Sequence, residues 1–354
     1  MLVVGAGPAG STTARFCADR DTEVLMIDRR REIGYPVQCG ELLPATKEMY
    51  SIFPRGTNLE ELFDLDDSLT AGRCSSVEFV SPGGRVYSSD FVSQALDRRV
   101  FDKHLVSLAV EHGARVEKGV SLTSIRDGVA NTTIGEVRAK VIVGADGPNS
   151  LVARQAGLQR PSARYPAITG RAEGQFGDAV KMFFGTVAPG GYAWIIPKTR
   201  GANVGLGLNS RTCREQPSVA FKRFVDNLDC RVTDVALGFV PMSGPVASTV
   251  NGNVMLVGDA AGHTMASNGG GIPTAMIAGR LAGRIAREHV ANGTPLSTYE
   301  QEWRRVMHNP LSRSLRTKRF ADLFFSNDLM LGLAMAILGD RGLDRAIRCK
   351  RLFL

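Results

Sequence analysis

The stretch MLVVGAGPAGSTTARFCADRDTEVLMIDRR at residues 1–30 constrains the fold more than any other part of the chain. An apolar run at Leu2 to Val4 turns through Gly5, Gly7 and Gly10 into a helical pattern. A second apolar run from Glu23 to Ile27 then closes on Asp28. The glycines have separate tasks: Gly5 makes the tight turn, Gly7 lets the backbone approach a pyrophosphate, and Gly10 lets the helix pack closely on the strand. Ala9 lies on the same turn and joins the candidate contacts. Backbone N–H groups and the positive dipole end at that helix start favour a diphosphate. Asp28 stands where a carboxylate accepts both hydrogen bonds of a ribose diol. Strand, glycines, helix, strand and acid in this order predict a Rossmann-like dinucleotide-binding unit. On these residues alone the dinucleotide is NAD or FAD.

Bulk properties bound the rest. The 354 residues are long enough for one large or two ordinary domains, and 44% apolar with 22% charged is globular composition. Six scattered cysteines, with no CxxC and no Cys/His pair at ligand spacing, imply a reducing setting without disulfides or a metal site. A formal charge of +8 favours an anionic partner: nucleic acid, a membrane surface or a phosphorylated small molecule. No run reaches the roughly 18 apolar residues of a spanning helix. Nothing at the start has the pattern of a signal peptide, and Met1 lies so near the first strand that the start is expected to be trimmed relative to relatives.

Further along, VIVGADGPNS (141–150) runs into Asp146-Gly147, and NVMLVGDAAG (253–262) ends in Gly258-Asp259. RRVFDKHLVSLAVEH (98–112) has helical spacing, followed by strands near Arg115 to Val116 and Val120 to Ile125, with Asp127-Gly128 as a hairpin turn. From Tyr165 to Met242 the pattern changes to alternating strands and glycine turns with one helix near Pro217 to Asn227, and the hairpin VEFVSPGGRVYS (77–88) fits the same sheet. The expected fold is α/β: a Rossmann-like domain (1–74, 96–164, 246–295) interleaved with a mainly antiparallel-sheet substrate domain (75–95, 165–245), plus C-terminal helices (296–354).

With an N-terminal GxGxxG, a central DG and a late GD, the chain resembles the FAD-dependent reductases and aromatic hydroxylases, a likeness that implies FAD and places Asp259 at its ribityl and pyrophosphate region. PVQCGE (36–41), LDRRVFDKHL (96–105), GGYAWIIPK (190–198) and NGGGIPTAM (268–276) narrow this further: together they resemble the geranylgeranyl reductase family. That resemblance implies an FAD-dependent reductase saturating C=C bonds of geranylgeranyl chains, on digeranylgeranylglycerophospholipids or on chlorophyll- or quinone-type prenyl groups. It also implies that Cys39, Gly40 and the Leu42 backbone line the flavin, that Arg98 bonds phosphate or ribityl oxygens, and that Leu122 meets the adenosine through its backbone. Relatives usually carry proline where this chain has Ala266, so the flavin-side loop is expected to differ in shape.

An isolated alkene offers no carbonyl to polarise, so such a site needs an apolar slot and a nearby proton donor. Gly269, Gly270, Gly271 and Ile272 open a helix whose N–H groups and dipole would face the flavin. Tyr192 and Trp194 share a strand face and, with Pro197, are read as a wall for the prenyl chain, or as core aromatics. Cys39 is a candidate for positioning the alkene or relaying a proton. His263, after the GD pair, is a second possible donor or a loop filler.

A single dinucleotide fingerprint means that NAD(P)H docks transiently or that a ferredoxin-like carrier donates electrons. DLMLGLAMAILG (328–339), followed by five basic residues in DRGLDRAIRCKRLFL, reads as an interfacial helix or a buried cap. The overall expectation is a cytoplasmic enzyme peripheral on the inner face of the membrane, with no nucleic-acid partner. An aromatic hydroxylase on the same scaffold, or a flavin-dependent membrane sensor that forms no product, are the competing readings.

Overall fold

Leu2, Val3 and Val4 are apolar in succession because the strand they form is covered on both faces. Leu2, Val4 and Ile27 join a cluster with Leu122 and Val152 on one side, while Val3 and Met26 join Ala14 and Ala282 on the other. The structure, a computed structural model, describes residues 1–126, 128–210 and 213–352. Its nucleotide sheet runs in the order Val250–Asn251, Val254–Leu256, Ile142–Gly144, Leu2–Val4, Leu25–Asp28, Arg115–Lys118. All pairs are parallel except the edge hairpin at Val250–Asn251. Helix Pro8–Cys17 lies against helix Ile272–Asn292. Their contact is close because Gly279 and Gly283 have no side chain: a Cβ at either would stand 2.5 Å from the carbonyl oxygen of Ala9 or Thr13.

The second sheet has seven strands, ordered Val232–Pro241, Arg164–Ala172, Ala202–Gly207, Tyr192–Pro197, Ala179–Phe183, Ser76–Val80, Val86–Ser89. It is antiparallel apart from the pairing of Ala179–Phe183 with Ser76–Val80. Helix Pro217–Asp226 covers its outer face through Phe221 and Phe224. Its inner face turns towards the nucleotide unit. The expected fold class is therefore the observed one.

Local expectations were met with small shifts at element ends. Helix Arg98–Glu111 starts at Asp97, whose side chain accepts the Arg99 N–H. Leu122–Arg126 and Val129–Thr132 form the anticipated hairpin, although Asp127 of its turn lies outside the described residues. A three-stranded sheet of Leu42–Pro44, Ser93–Leu96 and Thr70–Cys74 was not foreseen. Its strands are too short to show a period in the sequence.

Helices Ser297–Ala321 and Asp328–Ile347 complete the fold, the second with a break at Gly339 (φ 57°). Past its end, Arg348 is buried and ties the C-terminus back: its guanidinium donates to both carboxylate oxygens of Glu48 at 2.9 and 3.1 Å and also pairs with Asp90 and Asp344. Phe353 and Leu354 of the basic tail lie outside the described residues. Among the described residues no helix is long and apolar enough to cross a membrane, and no His/Cys/Asp/Glu cluster has the makings of a metal site.

Candidate active site

A cavity of about 900 Å³ begins at the glycine turn, passes between the two sheets and ends among the C-terminal helices. The glycines divide as their spacing implies. Gly5 has φ +105°, and a Cβ there would stand 2.3 Å from the Ala145 oxygen. A Cβ on Gly10 would stand 1.8 Å from the Gly5 oxygen, so Gly10 serves packing and is not on the cavity wall. Gly7 meets nothing within 4 Å and opens on the cavity at the start of helix Pro8–Cys17, where a diphosphate finds free N–H groups.

Around this turn the polar atoms await donors. Asp28 is held by the N–H groups of Ala6 (2.8 Å) and Arg30 (2.7 Å), one on each oxygen. Asp146 takes the N–H groups of Leu151 and Val152 on Oδ2, while its Oδ1 is buried with no partner among the described residues. Among the described residues the Asp259 carboxylate accepts only from Thr264 Oγ1, at 3.0 Å. Burial pushes both Asp146 and Asp259 above the usual carboxylate range. Buried acceptors with spare capacity call for donors, and the hydroxyls of a ribose and a ribityl chain are such donors. Ala9 and Leu122 line the same half. The residues present fit FAD.

In the middle stand Cys39, Gly40 and Leu42, with Arg98 beside Cys39 and Gly269 to Ile272 also on the wall. Arg98 differs from its expected role in one respect: Nε and Nη2 are engaged in a fork on Asp102 at 2.6 and 2.7 Å. Burial opposes that charge, yet Asp102 holds it firmly on. The remaining donors of the guanidinium lie beside Cys39. Burial also pushes the Cys39 thiol up, with Arg98 pulling the other way, and its sulfur accepts the Glu41 N–H at 3.2 Å. The thiol therefore keeps its proton at neutral pH. In the glycine triplet the Gly270 N–H is taken by Asn268 Oδ1 at 2.9 Å. Gly271 and Ile272 are left as the helix-start donors.

The far half is apolar. Tyr192 and Trp194 face it as the strand period requires, their rings 5.9 Å apart, and the Phe184 ring lies tilted at 5.9 Å from Tyr192. Pro197 is corrected: it falls on the opposite face of the strand, and Ile196 takes its place on the wall. Of the two readings of His263, the structure fits the loop filler and not the proton donor. The imidazole is fully buried against Trp303, with ring centroids 4.5 Å apart and no partner for either nitrogen among the described residues. Burial drives it down to about 3, so it is neutral, and it does not reach the cavity.

Sequence reasoning missed Glu41, Lys198 and Asn203. Glu41 is buried at φ 64°, accepts the Arg98 N–H at 2.9 Å and pairs with Lys198. The signal for two of them was visible, since Glu41 closes PVQCGE and Lys198 closes YAWIIPK.

Comparison with known proteins joins these halves. Residues 164–239, which include the aromatic strand, match the geranylgeranyl reductase catalytic domain, and residues 3–58 match an NAD(P)-binding Rossmann-like domain. A digeranylgeranylglycerophospholipid reductase of Methanococcoides burtonii is 34% identical over 92% of this chain and 84% of its own length. The chain belongs to the geranylgeranyl reductase family.

Another reductase of the same name, from Methanothrix thermoacetophila, is 32% identical over 93% of this chain and 89% of its own. A solved structure of a geranylgeranyl bacteriochlorophyll reductase-like protein from Thermoplasma acidophilum superposes with a TM-score of 0.82 at 27% identity, covering 99% of this chain and 92% of that one. As a geranylgeranyl reductase family member the chain is an FAD-dependent oxidoreductase, and the glycine-turn half of the cavity has the lining such a cofactor needs.

Proposed function

We propose that this protein saturates C=C bonds of geranylgeranyl chains, with digeranylgeranylglycerophospholipids as substrate. One observation carries the reading: a single cavity joins an FAD-fitting half to an aromatic, apolar half of the right character for a prenyl chain. Bound at the glycine turn and reduced by the electron donor, FAD would supply the hydride that an unactivated alkene requires. The chain's own residues do the rest. Tyr192 and Trp194 wall the slot and exclude water, Gly271 and Ile272 direct N–H groups at the cofactor ring, and the Cys39 thiol, kept protonated by burial, is the proton donor for the second carbon. Residues 1–74, 96–164 and 246–295 form the cofactor half, 75–95 and 165–245 the substrate half, and 296–354 close its far end.

Access from a membrane surface is part of the proposal. Along helix Asp328–Ile347, Leu331, Met335 and Leu338 face the cavity. Leu329, Leu333 and Ile337 form a second apolar stripe on the opposite side, 82%, 61% and 71% exposed. An apolar stripe in water, beside basic residues, suits the inner face of an anionic membrane. Electrons come from NAD(P)H docking transiently or from a ferredoxin-like carrier, and anaerobic titration with each distinguishes them.

The test uses the FAD-loaded protein, chemically reduced without oxygen and mixed with unsaturated archaeal-type lipid. Mass spectrometry is expected to show gains of two hydrogens per bond. No gain with lipid, alongside NADPH-dependent hydroxylation of an aromatic, would replace this reading with the hydroxylase one.

A further inference from the structure

We infer that Asn203 is a positioning residue for this reduction, holding the Trp194 indole and the Cys39 loop at a set separation and so fixing the width of the slot that receives the alkene. The inference rests on the prenyl-reductase reading. Asn203 lies on strand Ala202–Gly207 and is 4% exposed. Its Nδ2 donates to the Cys39 carbonyl at 3.0 Å and to Glu41 Oε2 at 2.9 Å. Its Oδ1 accepts from Trp194 Nε1 at 2.8 Å and from Thr169 Oγ1 at 2.9 Å. With two donors and two lone pairs, the amide is saturated.

The orientation of the amide follows from its partners. The Trp194 N–H only donates, while the Cys39 carbonyl and the Glu41 oxygen that also pairs with Lys198 accept, so a flipped amide would set donor on donor and acceptor on acceptor. Asparagine is thus the one side chain of this length that serves both sides. Aspartate would keep the indole and lose the loop, and leucine would lose both.

What it joins is informative. Trp194 belongs to the sheet, and the room for its ring comes from Gly205, where a Cβ would stand 2.3 Å from Trp194 Cζ2. On the other side the indole edge meets Gly40, where a Cβ would lie 3.5 Å from Nε1. The segment around Gly40 belongs to the nucleotide unit, and left-handed Glu41 holds it there through the Arg98 N–H. Asn203 is therefore the clamp between the wall of the substrate slot and the loop that carries the thiol. An alkene has no polar handle, so its approach to hydride and proton sources is set by walls alone, and a displacement of about 1 Å costs on the order of 10²-fold in rate.

The test compares wild type with Asn203→Asp in the FAD-loaded, anaerobically reduced full chain. Two rates are read: reoxidation of reduced flavin by vesicles containing unsaturated archaeal-type phospholipid, and reoxidation by oxygen. The lipid-driven rate is expected to fall about 10- to 100-fold, with oxygen-driven reoxidation and FAD content within about twofold of wild type. Equal losses in both rates, or no loss in either, would overturn the inference.

Should Asn203→Asp fail to fold, Thr169→Val removes one donor to the same Oδ1 while keeping its shape. Paired with Trp303→Phe, it leaves Trp194 as the sole tryptophan. A slower lipid-driven rate together with altered acrylamide quenching of Trp194 in the apo-protein supports the clamp, and no change in either refutes it. Wild type that reduces no prenyl lipid would defeat the functional reading instead, while the quenching comparison still decides whether the Thr169–Asn203 pair holds the indole.

Discussion

Arg348→Ala should destabilise the protein far more than the loss of a surface ion pair. The Arg348 and Glu48 side chains are only 8% and 5% exposed, and the guanidinium forks onto both Glu48 oxygens. Truncating the arginine leaves Glu48 as a buried, unpaired carboxylate, which costs about 3–5 kcal/mol. Asp90, a further partner of the same guanidinium, is 93% exposed and contributes at most about 1 kcal/mol. For a chain of this length each kcal/mol is roughly 1.3 °C in Tm. Arg348→Ala is therefore expected to lower Tm by about 4–7 °C and Asp90→Ala by about 1.3 °C or less. Replacing the pair with Leu at both positions should recover much of the loss, because the penalty comes from the uncompensated charge. Differential scanning calorimetry on the three variants checks this. Equal Tm values for Arg348→Ala and Asp90→Ala would refute the buried-charge argument. A functional consequence follows, since Leu343 and Ile347 of the tethered helix line the cavity: Arg348→Ala should also weaken prenyl-lipid binding at temperatures where it remains folded.

Cys39→Ser should retain FAD and lose reduction, and because burial raises the thiol above its ordinary 9.0, wild-type rates should not decline through thiol ionisation as pH rises from 7 to 9, checked by single-turnover rates. Gly7→Ala is expected to leave the apo-protein's Tm within about 1 °C, since nothing lies near its Cβ, while weakening FAD at least tenfold; Gly10→Ala should instead lower Tm because its Cβ meets the Gly5 oxygen. His263 is neutral in the fold and protonates in the unfolded chain, so stability is full above its ordinary 6.5 and declines from there towards about 3. The slope is about 1.4 kcal/mol per pH unit, and His263→Phe should remove that part of the acid sensitivity, read by urea unfolding at pH 7 and 5. Leu329, Leu333 and Ile337 changed together to Gln should lower binding to anionic vesicles by about 100-fold or more, measured by co-sedimentation, with turnover of detergent-dispersed lipid retained.

Much of the nucleotide half was legible because its physics is local. Three glycines with different backbone needs, a helix start and an acid at the end of the next strand fall within residues 1–30, and each behaves as its spacing implies. Strand parity likewise set Tyr192 and Trp194 on one face, and the same rule, carried one step further, excludes Pro197 and selects Ile196. The family pattern marked Cys39, Arg98 and Asp259 without saying what holds them.

Only the tertiary structure decided the partnerships. Asn203 reaches Glu41 across 162 positions of chain and Arg348 reaches Glu48 across 300, separations at which no local period carries information. His263 stood beside a motif aspartate in sequence, yet its ring turns into Trp303 because the residues after Asp259 coil back on helix Ser297–Ala321. The apolar segment 328–339 read as core or interface, and the fold divides it: one stripe packs on the cavity and the other is left in water. Amphipathic pattern states which residues avoid water, while the surfaces that meet them are set by chain segments far away. The sequence by itself determined the dinucleotide turn, the two sheet types and the family; packing alone determined which polar groups were satisfied, which were left to a ligand, and how the two halves of the cavity meet.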